Sequence, residues 1–298
     1  MKKTGFIAIV GRPNVGKSTL LNSILGEKIT IVSSKPQTTR NRILGIHTKD
    51  DTQFVFMDTP GMHAPKNKLG DYMVTAANSS MHDADAVVLV VEAAKPVTTV
   101  ENNVIEYLKK SGVPAILAIN KVDLTDAVGV AETIKTYSEL HDFDAFVPMA
   151  ARKDKGTDIV LRECENFLSE TEQFFFPEDI ATDQPERRLA SEIIREKILK
   201  TLNKEIPHGT AVVIEEFKDE GTLLRIRAEI FCEKTSHKGI IVGKNGAALK
   251  LIGSYARQDL EKIFGTKVYL NLWVKVKENW RESAAAVGNF GYKTEEFE

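Results

Sequence analysis

The chain has 298 residues, of which 42% are hydrophobic and 28% charged, with a formal net charge of −2. That composition excludes a low-complexity or disordered chain and suits two modest cores better than one. Cys164 and Cys232 stand far apart without a neighbouring Cys or His at ligand spacing, which excludes a disulfide framework and a zinc site and fits a reducing cytosol.

In chain order, the first apolar run, Phe6–Val10, is too short for a signal peptide or a membrane span. A soluble chain is expected, with peripheral membrane contact left open. Further β-branched runs follow at Phe54–Met57, Ala86–Val91, Ala115–Ile119 and Ala145–Val147. Helical periodicity is expected over Lys17–Leu25, Leu69–Met81, Val100–Lys110, Val130–Leu140 and Asp158–Ser169. The alternation predicts a doubly wound α/β sheet over 1–170.

The segment Gly11-Arg12-Pro13-Asn14-Val15-Gly16-Lys17-Ser18 matches G-x-x-x-x-G-K-[ST] between a strand and a helix, with Thr19 following. Glycines there let backbone N–H groups and a helix N-terminus face phosphates. Lys17 is expected to neutralise the β- and γ-phosphates, and the Ser18 hydroxyl to hold Mg²⁺. Asp58-Thr59-Pro60-Gly61 ends a strand, which puts a carboxylate beside the metal and the Gly61 backbone near the γ-phosphate. Alone, that tetrapeptide is as readily a common turn.

Asn120-Lys121-Val122-Asp123 ends the next apolar run but one. Asp123 can accept from guanine N1–H and its 2-amino group, whereas adenine offers it no such pair, so the set would select guanosine nucleotides; as a lone motif it is more often a loop than a base reader. Asn120 is expected to bond the other edge of the base and to tie strands together, with the Lys121 stem over the ring face.

Residues 171–185 break the pattern with Phe174-Phe175-Phe176-Pro177 and a second proline, a linker whose aromatics pack onto one neighbour. Residues 186–298 carry 20 Lys/Arg against 17 Asp/Glu, too small an excess to argue for nucleic acid. An amphipathic helix over Glu186–Asn203 precedes strands Ala211–Phe217 and Leu223–Glu233, a short helix His237–Val242, a helix from Ala247 to Phe264 and a strand Val268–Val276. The loop Gly243-Lys244-Asn245-Gly246 joins the two helices. By itself such a loop is most often a plain helix–turn–helix junction, but its glycines also let a phosphodiester backbone lie against the loop amides.

Three motifs in this order on successive strands resemble the Ras-like GTPase superfamily. The resemblance implies a backbone contact to guanine near Ala150 and Ala151, where Met149-Ala150-Ala151 departs from the usual serine-containing motif. It also implies a switch segment at Lys35-Pro-Gln-Thr-Thr-Arg-Asn41, in which Thr39 rather than Thr38 completes the Mg²⁺ shell. Lys17, Thr39 and Gly61 are thus the residues assigned to catalysis. Met62 stands where Ras-like enzymes place a water-orienting Gln, so intrinsic turnover should be slow. Related GTPases with a hydrophobic residue there bind K⁺ beside the phosphates through an Asn at the position of Asn14. His63 is expected to be a solvent-facing loop histidine in preference to a base.

The order α-β-β-α-α-β over 186–298, with Lys238, Lys250 and Arg257 near the Gly243–Gly246 loop, resembles a type II KH domain. Gly239, Ile241 and Val242 complete the surface that the resemblance implies for single-stranded RNA. Together the two regions resemble the bacterial Era family over essentially the full length. That implies a GTP/GDP switch binding the 3′ end of small-subunit ribosomal RNA and assisting 30S assembly. It further implies a monomer in the cytoplasm, partly at the inner membrane surface. A protein-docking switch and a nucleotide-binding scaffold without turnover are the alternatives.

Overall fold

The computed structural model describes residues 1–62 and 65–293; His63 lies outside them. The first unit is a seven-stranded sheet. Its strands are β1 (Lys2–Val10), β2 (Ile43–Lys49), β3 (Thr52–Asp58), β4 (Ala86–Glu92), β5 (Ala115–Asn120), β6 (Ala145–Pro148) and β7 (Ser169–Thr171). They lie in the order β2-β3-β1-β4-β5-β6, with β7 pairing β1. β1, β3, β4, β5 and β6 are parallel, and β2 and β7 are the antiparallel additions.

Parallel strands covered on both faces must be apolar on both, and these are. Ile7, Ile9, Val88, Val90, Ile116 and Ala118 point toward α1 (Lys17–Leu25) and α5 (Thr157–Glu165). Ala8, Val10, Val87, Leu89, Leu117 and Ile119 face the layer of α2 (Lys68–His82), α3 (Thr99–Ser111) and α4 (Ala127–Ser138). The C-terminal ends of β1, β3 and β5 therefore open on one edge, where open α/β sheets bind ligands.

Two expectations need correction. α5 ends at Glu165 and not at Ser169: Phe167 and Leu168 donate their N–H groups to Cys164 and Glu165, three residues back, which tightens the chain. The next residues then pair with Lys2, Lys3 and Thr4 as β7, so the linker begins as an edge strand. Phe175 stacks on Phe6 with ring centroids 5.2 Å apart, and Phe176 packs on the α2–α4 side of the sheet. The linker aromatics thus lie on the first unit.

The second unit has α6 (Glu186–Thr201), β8 (Ala211–Asp219), β9 (Leu223–Cys232), α7 (Thr235–Val242), α8 (Ala247–Phe264) and β10 (Lys267–Val276). Its sheet runs β10-β9-β8, with β9 and β10 parallel and β8 antiparallel to β9. Along β9 only Leu224, Ile226, Ala228, Ile230 and Cys232 face the helices, the alternation of a sheet covered on one side. A last helix, α9 (Ala284–Asn289), follows Trp280 and packs with it against α2 through Leu69, Tyr72 and Met73. No helix among the described residues is long and apolar enough to cross a membrane.

α6 departs from a simple amphipathic helix. Its polar residues Glu192, Arg195, Glu196 and Lys197 are all buried, because Arg195 and Glu196 meet the first unit and Lys197 pairs with Asp259 of α8. Glu196 accepts from Lys28 at 2.7 Å, from Lys197 at 2.8 Å and from the Val32 N–H at 3.1 Å. Burial alone would raise its carboxyl, but these bonds outweigh burial and hold it at about 2. A depressed acid stabilises the fold fully above its ordinary value near 4.5, and that contribution is lost as pH falls toward 2. Acid titration of thermal stability should therefore show roughly 2 kcal/mol more loss between those limits in the natural chain than in Glu196→Gln. Equal slopes would contradict this reading.

Candidate nucleotide site

The Gly11–Ser18 loop wraps around the Lys17 ammonium, which donates to the carbonyls of Gly11 at 3.0 Å and Arg12 at 3.1 Å. Burial draws this ammonium down to about 8 against the opposing pull of Asp58. Gly16 is required by the backbone: its φ is +108°, and a Cβ there would stand 2.1 Å from Asn120 Nδ2. Arg12 pairs with the fully buried Glu101 at 3.4 Å, which steadies the front of the loop. Asn14 holds the Ser34 carbonyl at 2.7 Å, a tie between this loop and the segment 35–41.

Asp58 is fully buried at the end of β3. Its Oδ2 accepts from Ser18 Oγ at 2.6 Å and lies 3.4 Å from Thr39 Oγ1, while Ser18 and Thr39 are 2.8 Å apart. Its Oδ1 has no hydrogen-bond partner among the described residues. Burial pushes the carboxyl up to about 6 even though Lys17 and the two hydroxyls favour its charge. An orphaned carboxylate oxygen beside two hydroxyls is an oxygen-only donor set of the kind magnesium takes. Asp58, Ser18 and Thr39 thus fit a magnesium ion. Thr59 turns inward to the Ile9 carbonyl at 2.8 Å and so fixes the strand end that carries Asp58. Gly61 is packed on Pro13, where a Cβ would meet backbone at 2.8 Å, so the loop after β3 closes directly on the phosphate loop. Met62 is half-buried against the α2–α4 side of the sheet, with its N–H 3.4 Å from the Gly11 carbonyl.

The second cluster, at the ends of β5 and β6, is tied to the first by Asn120. Its Nδ2 donates to the Val15 carbonyl at 2.7 Å, and its Oδ1 accepts from the N–H groups of Lys121 at 2.8 Å and Ala151 at 3.0 Å. Ala151 thus spends its N–H on Asn120, and a base oxygen there would have to share that donor. Ala150 N–H goes to the Lys155 carbonyl at 2.9 Å. Lys121 adopts a left-handed conformation and pairs with Glu92 at 2.8 Å, which holds its stem along the edge of the cluster. Asp123 is exposed, and a bond from Lys153 at 3.0 Å holds its carboxyl below the ordinary range. Lys153, a partner that no motif signals, keeps the carboxylate ionised.

In the second unit the Gly243–Gly246 loop sits at the N-terminus of α8 with Lys244 and Asn245 exposed. Both glycines have positive φ, and at Gly243 a Cβ would meet Ala248 at 2.8 Å. Lys238 and Gly239 on α7 and Lys250 and Arg257 on α8 are exposed. Ile241 belongs to the core and is fully buried, and Val242 packs against the same core. The isoleucine presented on the surface is Ile240, since α7 turns its neighbour inward.

A family model for the 50S ribosome-binding GTPases matches residues 6–121, and one for the KH domain matches 205–281. GTPase Era of Ruminiclostridium cellulolyticum is 48% identical over 98% of this chain and 98% of its own length. GTPase Era of Clostridioides difficile is 49% identical over 98% and 99%. A crystal structure of Era with MgGDPNP and nucleotides 1506–1542 of 16S ribosomal RNA superposes with a TM-score of 0.94 at 40% identity, covering 98% of this chain and 99% of that one. A point variant of Aquifex aeolicus Era bound to GDP and aluminium fluoride gives 0.93 at 41%, covering 97% and 99%.

Asp123→Asn exchanges an acceptor for a donor, which no longer matches the guanine N–H pair but suits a second carbonyl, as in xanthine. GTP affinity should fall at least 100-fold and xanthosine triphosphate should bind better than GTP, measured by competition with a fluorescent nucleotide. An unchanged GTP preference would remove Asp123 from base reading.

Proposed function

The chain belongs to the Era family of GTPases and hydrolyses GTP, and from that premise we propose that it is an RNA-binding switch for small-subunit maturation. Its first unit, residues 1–170, would take Mg·GTP. The linker 171–185 joins it to an RNA-binding unit, residues 186–298, whose target is the 3′ end of small-subunit ribosomal RNA. The output is assistance to 30S assembly by a monomer in the cytoplasm, partly at the inner membrane surface.

In this reading the amides of Gly11–Ser18 and the N-terminus of α1 receive the triphosphate, and Lys17 leaves its two carbonyls to neutralise the β- and γ-phosphates. Magnesium, held by Ser18, Thr39 and Asp58, supplies charge neutralisation at the phosphate oxygens. Thr39 reaches that position only when its segment is drawn in, which gives the switch two states. The Gly61 N–H is placed to follow the γ-phosphate. Met62 offers a thioether, which cannot orient the attacking water, so intrinsic turnover is slow. A K⁺ ion at Asn14 would supply charge that an arginine supplies elsewhere. Turnover at least tenfold faster in K⁺ than in Na⁺ is expected, and equal rates would contradict the potassium role. Asn120, Lys121 and Asp123 hold guanine, with Ala150 and Ala151 closing the pocket.

The observation that carries the RNA reading is the Gly243–Gly246 loop at the start of α8, with Lys244 exposed in the loop and Lys238, Lys250 and Arg257 exposed on the helices that it joins. A phosphodiester backbone fits against such a loop, and single strands are gripped over about four nucleotides. The Era structure that contains nucleotides 1506–1542 of 16S ribosomal RNA supports the choice of target. Replacing Lys244 and Asn245 by Asp leaves both glycines in place. It should weaken binding of a short single-stranded RNA from the 16S 3′ end at least tenfold, with a shallower salt dependence. No RNA binding by the unmodified chain would instead favour a protein-docking role.

A further inference from the structure

The segment that carries Thr39 is held largely from outside its own sheet. Ile31 is buried as part of the apolar core of the second unit. The Lys35 ammonium donates to the Leu202 carbonyl beyond the end of α6. On one side of Thr39, Arg195 of α6 is wholly buried and donates to the carbonyls of Gln37, at 3.3 Å, and Thr38. Glu192 fixes the same guanidinium through Nε at 2.9 Å. On the other side Arg40, also wholly buried, reaches into the second unit. There it donates to the carbonyls of Thr210 at 2.7 Å and His208 at 2.8 Å and to the Tyr292 hydroxyl at 3.2 Å. Thr39 lies between these two anchors with its hydroxyl 2.8 Å from Ser18 Oγ.

A single residue between two bidentate anchors has little freedom to leave. Guanidinium forks fix geometry in a way that a lysine ammonium, a point donor, cannot. Arg195 reaches out from the second unit and Arg40 reaches into it, so the rotation of that unit and the position of Thr39 are one variable. We propose that Arg195 and Arg40 are positioning residues for GTP hydrolysis, holding Thr39 at the magnesium position from the second unit. The inference rests on the reading of Thr39 as a magnesium ligand. It makes the RNA-binding unit a structural part of the hydrolytic site, and linkage then requires that whatever moves that unit changes nucleotide handling, and the reverse.

The test uses the full chain with Arg195→Lys, which keeps the buried positive charge beside Glu192 but loses the fork. Turnover should drop about tenfold with KM for GTP within about twofold, because misplacement of a group by a fraction of an ångström acts on the chemical step. The magnesium concentration for half-maximal rate should rise at least threefold, and the affinity of the chain with GDPNP for Mn²⁺, read by electron paramagnetic resonance, should fall by a similar factor. Arg187→Ala on the same helix, whose side chain bonds only the exposed Ile214 and Glu215 carbonyls, should do neither. In a Thr39→Ala background, Arg195→Lys should cost nothing further, since it acts through Thr39. If Arg195→Lys slows turnover only in proportion to a lost folded fraction, with magnesium dependence unchanged, or if its effect multiplies with that of Thr39→Ala, the positioning role is overturned. A Thr39→Ala chain with normal turnover would instead overturn the magnesium reading on which the proposal stands.

Discussion

A buried carboxylate with one oxygen unpartnered is the constraint around which this molecule is arranged. Asp58 lies at the end of a strand inside a sheet covered on both faces, with no solvent to share its charge. Two hydroxyls and a neighbouring ammonium answer part of that charge, and its carboxyl still sits near 6. Leaving a buried charge half-satisfied costs several kcal/mol unless a cation completes it. The phosphate loop, the switch threonine and the Asp58-Thr59-Pro60-Gly61 turn all converge there because each supplies or steadies an oxygen or a positive charge.

The second unit enters the same arrangement through its charged residues. In α6, Arg195 and Glu196 are buried and bond Gln37, Thr38, Lys28 and Val32 of the first unit, so directional bonds cross the interface there. Buried ion pairs of this kind add little net stability over apolar packing but tolerate few alternative alignments. Apolar contacts add to these bonds at Ile31 and where Trp280 and Tyr292 meet α2.

The parts legible in the sequence were those governed by local rules. The phosphate loop, the Asp58 turn and Asn120–Asp123 are short stretches whose chemistry requires fixed spacing, and the alternation of buried strands with helices gave the sheet. What escaped depends on partners distant in sequence. β2 carries Gly45 and His47 among its apolar residues and becomes a strand only by pairing with β3. β7 is three residues long and is made by the edge of β1. The charges of α6 read as a solvated face because nothing local announces that another unit will cover them. Lys153 beside Asp123 and Glu101 beside Arg12 are likewise invisible to motif and periodicity. Ala151 had been expected to offer its N–H to the base, and its bond to Asn120 reflects a tie between loops separated by thirty-one positions.

The account stands most directly on the divalent site at Asp58. Mn²⁺, taken by the same oxygen donors as Mg²⁺, can be followed by electron paramagnetic resonance as it is titrated into the full chain with GDPNP. One Mn²⁺ per chain should bind with the nucleotide, and Asp58→Asn should weaken that binding at least tenfold. Equal Mn²⁺ affinity in the two proteins would mean that the orphaned oxygen serves no cation, and the arrangement described around it would lose its cause.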